Sequence, residues 1–222
     1  MTELPYSDDE IVRTLYSPVL SDTLDAMGYR NQAMRPFVRP LDESLVLFGR
    51  ARTGRYTPVD YIDPKKNPYE IEIALIDDLG KGDVAVLGAL GPTDRIAPWG
   101  ELLTTASRSR GAAGCVTDGL VRDTRLIRSL KFPVFHGGIG PLDSKGRGEM
   151  VERDAPVECG GVLVTPGDFV FGDVDGVVVL PRAVAAQALS KAMEKVNAEN
   201  TTRDELRAGR SLRQVYEKYG VL

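Results

Sequence analysis

The feature that most constrains this chain is an alternation of five short segments between residues 83 and 135. Residues 83–88, 114–118 and 133–135 are runs of small and β-branched apolar residues, the composition of strands covered on both faces. Between them, residues 100–110 and 124–130 carry helical spacing, and glycines or prolines mark most of the joints. Strand, helix, strand, helix, strand at these lengths predicts right-handed βαβ units on a parallel sheet.

Ser7 and Glu10 form a capping-box pattern ahead of Ile11, Val12 and Leu15, Pro18 restarts the chain into a helix over 19–27, and Gly28 stops it. Residues 29–44 read as a wrapping loop and 45–53 as a strand. Residues 58–68, with Asp60, Asp63, Lys65 and Lys66, form the most polar loop, a lid or a surface excursion. Helical periodicity returns at Ile71, Ala74, Leu75 and Leu79, with Gly80 as its cap. Beyond 135 the pattern changes to short strands at 162–164, 169–171 and 176–180 joined by hairpin-type turn residues, which predicts antiparallel pieces. A long helix then runs from Pro181 to Ala208, apolar at Val184, Ala185, Ala188, Leu189, Ala192, Met193 and Val196. Its second half has almost no apolar face, a hint that it leans on another subunit. Ser211 and Gln214 cap a last short helix.

Several function classes drop out. At 222 residues and 42% hydrophobic content the chain can bury one full core, and a net charge of -4 without any run of five like charges lacks the basic stripe of a general nucleic-acid binder. No signal-peptide pattern opens it and no segment reaches membrane-spanning length, so a cytoplasmic location is expected. Cys115 and Cys159 have neither metal nor disulfide spacing, and His136 is the single histidine, which excludes a His-rich zinc site and leaves any Ser-His-Asp triad only through that residue. Gly137 to Gly140 lacks the dinucleotide spacing, and Lys81, Lys131 and Lys145 border loops, which disfavours Schiff-base chemistry. Asp168, Asp173 and Asp175 do not make a calcium loop, because valines 177 and 184 fall where ligands belong; they read as turn formers.

The candidate chemistry lies at Glu101 and, after twenty intervening residues, Arg122-Asp123. Trp99-Gly100-Glu101-Leu102-Leu103 reads as a helix start, with Gly100 the N-cap and the Leu102 and Leu103 N–H groups free for a carboxylate or phosphate. Glu101 can equally do no more than complement the helix dipole. Arg122 and Asp123 follow the 114–118 strand, at the carboxyl end where ligands gather in open α/β sheets. Asp123 either caps the helix starting near Thr124 or binds a hard divalent cation, with Arg122 pairing with a substrate carboxylate or an enolate oxygen. The residues alone leave both roles open.

These and other segments resemble one family. Residues 21–28 (Ser-Asp-Thr-Leu-Asp-Ala-Met-Gly), Gly100-Glu-Leu-Leu103, 111–123 (Gly-Ala-Ala-Gly-Cys-Val-Thr-Asp-Gly-Leu-Val-Arg-Asp), Phe132-Pro-Val-Phe135, Pro166-Gly-Asp168 and 172–179 match the family of regulator of ribonuclease activity A and the 4-hydroxy-4-methyl-2-oxoglutarate aldolases. The resemblance implies an α/β, swivelling β/β/α-type layered fold with a parallel central sheet and a smaller antiparallel sheet. It implies one domain over residues 1–222, with N-terminal helices within 1–30 and helices within 182–222 at the interface of a homotrimer or hexamer. It further implies Mg²⁺ or Mn²⁺ held by Asp123, Arg122 binding the substrate and stabilising a pyruvate enolate, and Leu102 and Leu103 offering amides to a 2-oxo acid carboxylate beside Gly100. Glu101 stands where well-known aldolases of the family have Asp, and Glu199 aligns with an acid contributed across the subunit interface. The implied activity is a metal-dependent pyruvate aldolase or oxaloacetate decarboxylase. A ribonuclease-binding regulator and a metal-dependent sugar-acid lyase or dehydratase are the alternatives.

Overall fold

The computed structural model describes residues 4–220. The expected alternation forms its centre. Strands β2 (Leu47–Pro58), β3 (Asp83–Gly88), β4 (Gly114–Thr117) and β6 (Val134–His136) run parallel and side by side. Helices α3 (Glu70–Asp77), α4 (Glu101–Ser109) and α5 (Thr124–Leu130) connect them. Along β3 the side chains alternate: Val84 and Val86 enter one core cluster, Ala85 and Leu87 another that packs under α3, α4 and α5 with Trp99, Ile127 and Phe132.

The sheet is not purely parallel. Strand β1 (Arg39–Pro40) pairs antiparallel with β6, while β8 (Gly148–Arg153) and the hairpin β11 (Phe169–Asp173) and β12 (Gly176–Leu180) add antiparallel edges to β2. The order is β1-β6-β4-β3-β2-β11-β12, with β8 sharing the outer half of β2. The segment before β1 nearly closes this sheet on itself. Ala33 bridges Val178 on β12, and a few residues later Arg39 pairs with His136 on the opposite edge. Inside the curl, Val170, Val177 and Val179 meet Val84, Val116 and Phe135, and the small antiparallel sheet of β9 (Val157–Cys159) and β10 (Val162–Val164) fills the opening. Gly172 is required there, since a Cβ would lie 2.7 Å from the Phe135 ring.

Helices α1 (Asp8–Thr14), α2 (Ser17–Ala26) and α6 (Ala185–Arg207) cover the other outer face, where Ile11, Leu20, Leu24, Leu189 and Ala192 pack on Phe48, Phe169 and Phe171. Each such large side chain contributes roughly 1.5–3 kcal/mol by burial. The aspartates excluded as calcium ligands have local work: Asp173 accepts from the Ser17 N–H at the start of α2, and Asp168 accepts from the Thr165 and Arg182 N–H groups. Pro18 sits in the first turn of α2, as its fixed φ favours, and Ser7 caps α1 by accepting from the Glu10 N–H.

Two boundaries and one strand pairing differ from expectation. The strand predicted to end at residue 53 continues to Pro58, because β8, in a stretch with no clean alternation, pairs with its second half and Tyr56 is buried there. The long helix begins at Ala185; residues 181–184 form a turn instead. Strand β10 pairs with β9 and not with the hairpin that follows it. The polar second half of α6 meets α7 (Leu212–Tyr219), where Lys218 and Tyr219 both donate to Glu205. The Ser211–Gln214 capping box of α7 is formed in both directions.

Candidate functional site

The Arg122-Asp123 pair does not follow β4 directly. After Asp118 and Gly119 the chain forms the short β5 (Leu120–Val121), which pairs with β7 (Gly138–Ile139) and, through Val121, bridges Trp99. The Arg122 N–H donates to the Trp99 carbonyl at 3.0 Å, which holds Arg122 beside the first turn of α4. Trp99 is itself fixed, stacked on Phe132 with its Nε1–H donated to Thr104 Oγ1 at 2.8 Å. At the carboxyl end of β4, the buried Asp118 accepts from the N–H groups of Ala89, Gly91 and Gly160 and ties three loops together. Burial pushes its carboxyl upward against those hydrogen bonds.

Asp123 starts α5 without capping it through its side chain. Its backbone, in the left-handed region at φ 58°, is the N-cap of α5, yet its side chain makes no bond to that helix. The carboxylate turns instead to α4, where Oδ2 accepts from the Glu101 N–H at 3.2 Å. Gly100, the N-cap of α4, has no side chain to do this, and a Cβ there would lie 2.9 Å from Asp123 Oδ2. The Leu102 and Leu103 N–H groups have no protein acceptor among the described residues, and both residues line the same cleft as Arg122 and Asp123. The sequence-predicted residues Gly100, Leu102, Leu103, Arg122 and Asp123 are therefore brought together.

Glu101 and Glu199 stand apart from that group. The Glu101 carboxylate is held by the Thr105 hydroxyl at 2.6 Å on its own helix and does not line the cleft. Glu199 lies in the layer of α1, α2 and α6, where it accepts from Tyr16 and faces Arg203 at 3.8 Å. Burial and that carboxylate push the Tyr16 hydroxyl up to about 12. Within one chain Glu199 is not a neighbour of Arg122.

The cleft, about 360 Å³, contains residues that the sequence reading missed: Tyr69, Glu72, Ile73, Asp143 and Ser144. Arg122 lies between two carboxylates, its Nε 3.9 Å from Asp123 and its Nη2 3.5 Å from Asp143. Asp143 also accepts from the Tyr69 hydroxyl at 2.6 Å. Burial works against its charge, but Tyr69, Arg122 and nearby N–H groups hold its carboxyl below the usual range. Glu72 is only 8% exposed and accepts from the buried Tyr56 hydroxyl. Burial, reinforced by Asp143, raises its carboxyl to about 7 against the opposing pull of Tyr56 and Arg122. The signal for Glu72 was present: it begins an i, i+3, i+4, i+7 series with Leu75, Ile76 and Leu79, a carboxylate on an apolar stripe. The polar loop 58–68 does not line this cleft.

Among the described residues no three His, Cys, Asp or Glu side chains cluster to hold a metal ion. Of the three carboxylates lining the cleft, Glu72 and Asp143 each hold a tyrosine hydroxyl, which leaves Asp123, its side chain 43% exposed, as the single carboxylate donor for a metal ion. That suits a hard cation that keeps most of its waters, such as Mg²⁺ or Mn²⁺, and does not suit zinc, which takes three or four protein ligands.

Fold and cleft together define an α/β protein in which an arginine and a helix N-terminus, partly capped by Asp123, line one cleft at the carboxyl end of its parallel strands. The chain belongs to the RraA-like family (Aldolase/RraA), whose model matches residues 17–179. It is 35% identical over 183 residues to the "Putative 4-hydroxy-4-methyl-2-oxoglutarate aldolase" of Halalkalibacterium halodurans, covering 82% of this chain and 80% of that one. It is 30% identical to the protein DlpA of Legionella pneumophila over 91% of this chain but only 32% of that longer protein. The structure of RraAS2 of Streptomyces coelicolor, described as an unusual member of the RNase ES inhibitor RraA protein family, superposes with a TM-score of 0.79 at 29% identity, covering 90% of this chain and 100% of that one. Among the described residues no helix is long and apolar enough to cross a membrane.

Proposed function

We propose that this chain is a divalent-metal-dependent pyruvate aldolase of the class II type, cleaving the C3–C4 bond of a 4-hydroxy-2-oxo acid. Decarboxylation of oxaloacetate makes the same demand on the site and is included in the reading. The observation that supports it most is Arg122, held between Asp123 and Asp143 in one cleft with Leu102 and Leu103, whose N–H groups have no acceptor among the described residues. The aldolase name of the 35% identical relative agrees with it.

In this reading the two amides donate to the C1 carboxylate, whose charge the N-terminal dipole of α4 also favours. Asp123 and waters would hold Mg²⁺ or Mn²⁺, which when bound supplies Lewis-acid polarisation of the 2-oxo group. Arg122 places its charge at the C2 oxygen, where negative charge develops as the C3–C4 electrons form the C2–C3 double bond and the carbonyl pair moves onto that oxygen. Charge stabilisation of this kind contributes roughly 3–4 kcal/mol per donor. The C4 hydroxyl loses its proton as the bond breaks, and C3 gains one to give pyruvate, so the step is redox-neutral. A water takes the first proton; within one chain Glu101 is turned to Thr105 and Glu199 lies with Tyr16, so the acid that orients this water would be Glu199 supplied by a neighbouring subunit in a trimer or hexamer.

The test is pyruvate release from oxaloacetate and from 4-hydroxy-2-oxo acids, with Mg²⁺ or Mn²⁺ and with EDTA. Arg122→Ala and Asp123→Ala are each expected to lose about 100-fold or more in kcat/KM. Full activity in either variant, or in EDTA, sinks the reading. Docking to a ribonuclease needs neither an intact arginine cleft nor a buried glutamate, so nothing in the cleft favours it.

A further inference from the structure

The cleft has two chemically different ends. One is formed by Gly100, Leu102, Leu103 and Asp123, where the 2-oxo acid head is placed. The other is formed by Tyr69, Glu72 and Ile73 of the α3 region with Asp143. Arg122 spans the two, with Nε toward Asp123 and Nη2 toward Asp143. A substrate whose head sits at α4 therefore extends, beyond the carbon–carbon bond to be cleaved, toward Glu72.

What that far end offers is specific. Arg122 is the one cation among the described residues lining the cleft, and it is already shared by two carboxylates. Glu72 is more than nine-tenths buried, and only its Oε2 is occupied, by the Tyr56 hydroxyl. Among the described residues Oε1 has no protein partner and is not one of the enclosed unpaired atoms, so it opens on the cleft. The groups facing Glu72 are Tyr56 from β2, Asp143 from the loop after β7, and Arg122 from the turn after β5. A second carboxylate placed here meets Glu72 and Asp143 without a free counter-charge. A hydroxyl, by contrast, can donate to Asp143 while it accepts from protonated Glu72, and once Glu72 is ionised a second hydroxyl of the tail can donate to it. The near-neutral titration of Glu72 agrees with a group that serves in both forms.

Building on the aldolase reading, we infer that Glu72, with Tyr69 and Asp143, forms the subsite for C5 and beyond, and that it selects a neutral, hydroxylated tail over a carboxylated one. The substrate class is then a 3-deoxy-2-oxo polyhydroxy acid. Oxaloacetate ends at C4 and does not reach this subsite.

Two probes that differ only at C5 test the selection: 4,5-dihydroxy-2-oxopentanoate, with a hydroxymethyl group, and 4-hydroxy-2-oxoglutarate, with a carboxylate. Cleavage gives pyruvate from both, plus glycolaldehyde or glyoxylate. The hydroxymethyl substrate is expected to lead in kcat/KM by about tenfold or more near neutral pH. The ratio is expected to widen between about pH 6 and pH 8 as Glu72 ionises, and to become flat in Glu72→Gln. Equal or better turnover of the dicarboxylate, or a ratio unmoved by pH in the unaltered protein, overturns the inference. Calorimetric binding of two analogues that lack the C4 hydroxyl, 5-hydroxy-2-oxopentanoate and 2-oxoglutarate, separates it from the reading beneath. If neither probe releases pyruvate, the aldolase reading fails. Tighter binding of 5-hydroxy-2-oxopentanoate by the unaltered protein still supports the subsite, and tighter or equal binding of 2-oxoglutarate overturns it.

Discussion

Glu72 sets a measurable stability dependence on pH that is independent of any catalysis. Its carboxyl rises from an ordinary 4.5 to about 7 in the folded chain, chiefly because burial penalises the charged form. Between these values the folded state holds a proton that the unfolded state has released. Stability from this group is therefore full below 4.5 and is lost as pH rises toward 7. At about 1.4 kcal/mol per pH unit the whole difference is about 3 kcal/mol, and roughly 2.5 kcal/mol of it falls between pH 5 and 8. Glu72→Gln removes the titration while leaving an amide oxygen to accept the Tyr56 hydroxyl. Urea unfolding of both proteins at a series of pH values gives the difference in stability, in which other titrating groups cancel. That cancellation matters because His136, buried and pushed down to about 4 by burial and then by Arg128, has the opposite sign, losing stability as pH falls from 6.5 toward 4. The variant is expected to gain about 2.5 kcal/mol relative to the unaltered protein on going from pH 5 to 8, about 5–10 °C in Tm. A difference constant to within about 0.5 kcal/mol across that range refutes the argument that burial raises this carboxyl.

Other outcomes follow from single contacts. Asp118→Ala leaves the N–H groups of Ala89, Gly91 and Gly160 without their acceptor and is expected to cost about 3–5 kcal/mol in urea unfolding, with Asp118→Asn costing less. Gly100→Ala inserts a methyl 2.9 Å from Asp123 Oδ2 and 3.3 Å from the Arg122 side chain. Since both neighbours are side chains that can move, the fold is expected to persist while pyruvate release drops about tenfold to a hundredfold, measured against an unchanged circular dichroism spectrum. Ser211→Ala breaks the capping box of α7 and is expected to cost about 1 kcal/mol, seen as faster amide exchange confined to residues 212–219.

How much was legible in the sequence varies by residue. The βαβ frame over residues 83–135 was readable because strand and helix periods are local, written within five to ten consecutive side chains. The caps at Ser7 and Ser211 and the stop at Gly28 were readable for the same reason. Strand β8 was not: Gly148–Arg153 has little apolar alternation and becomes a strand because the outer half of β2 presents it with an unpaired edge. The resemblance carried Gly100, Leu102, Leu103, Arg122 and Asp123 as one group, and the fold does bring these residues into one cleft.

By its own local pattern, then, the chain determined a parallel α/β centre, its helix starts, and a candidate anion site at one helix N-terminus. Tertiary structure alone decided that residues 32–40 carry one sheet edge round to the other, and that Asp123 caps α4 while its backbone starts α5. It alone set Arg122 between Asp123 and Asp143, and Glu72 opposite them. The physical reason is separation along the chain. A residue's neighbours in sequence record which face of an element must be buried. They do not record which distant carboxylate will share that burial, and in this cleft the charges that matter come from α3, β5 and the loop after β7. The Arg122-Asp123 pair could be suspected from twenty-odd residues of context, but the protonation of Glu72 exists only once the surrounding walls are assembled.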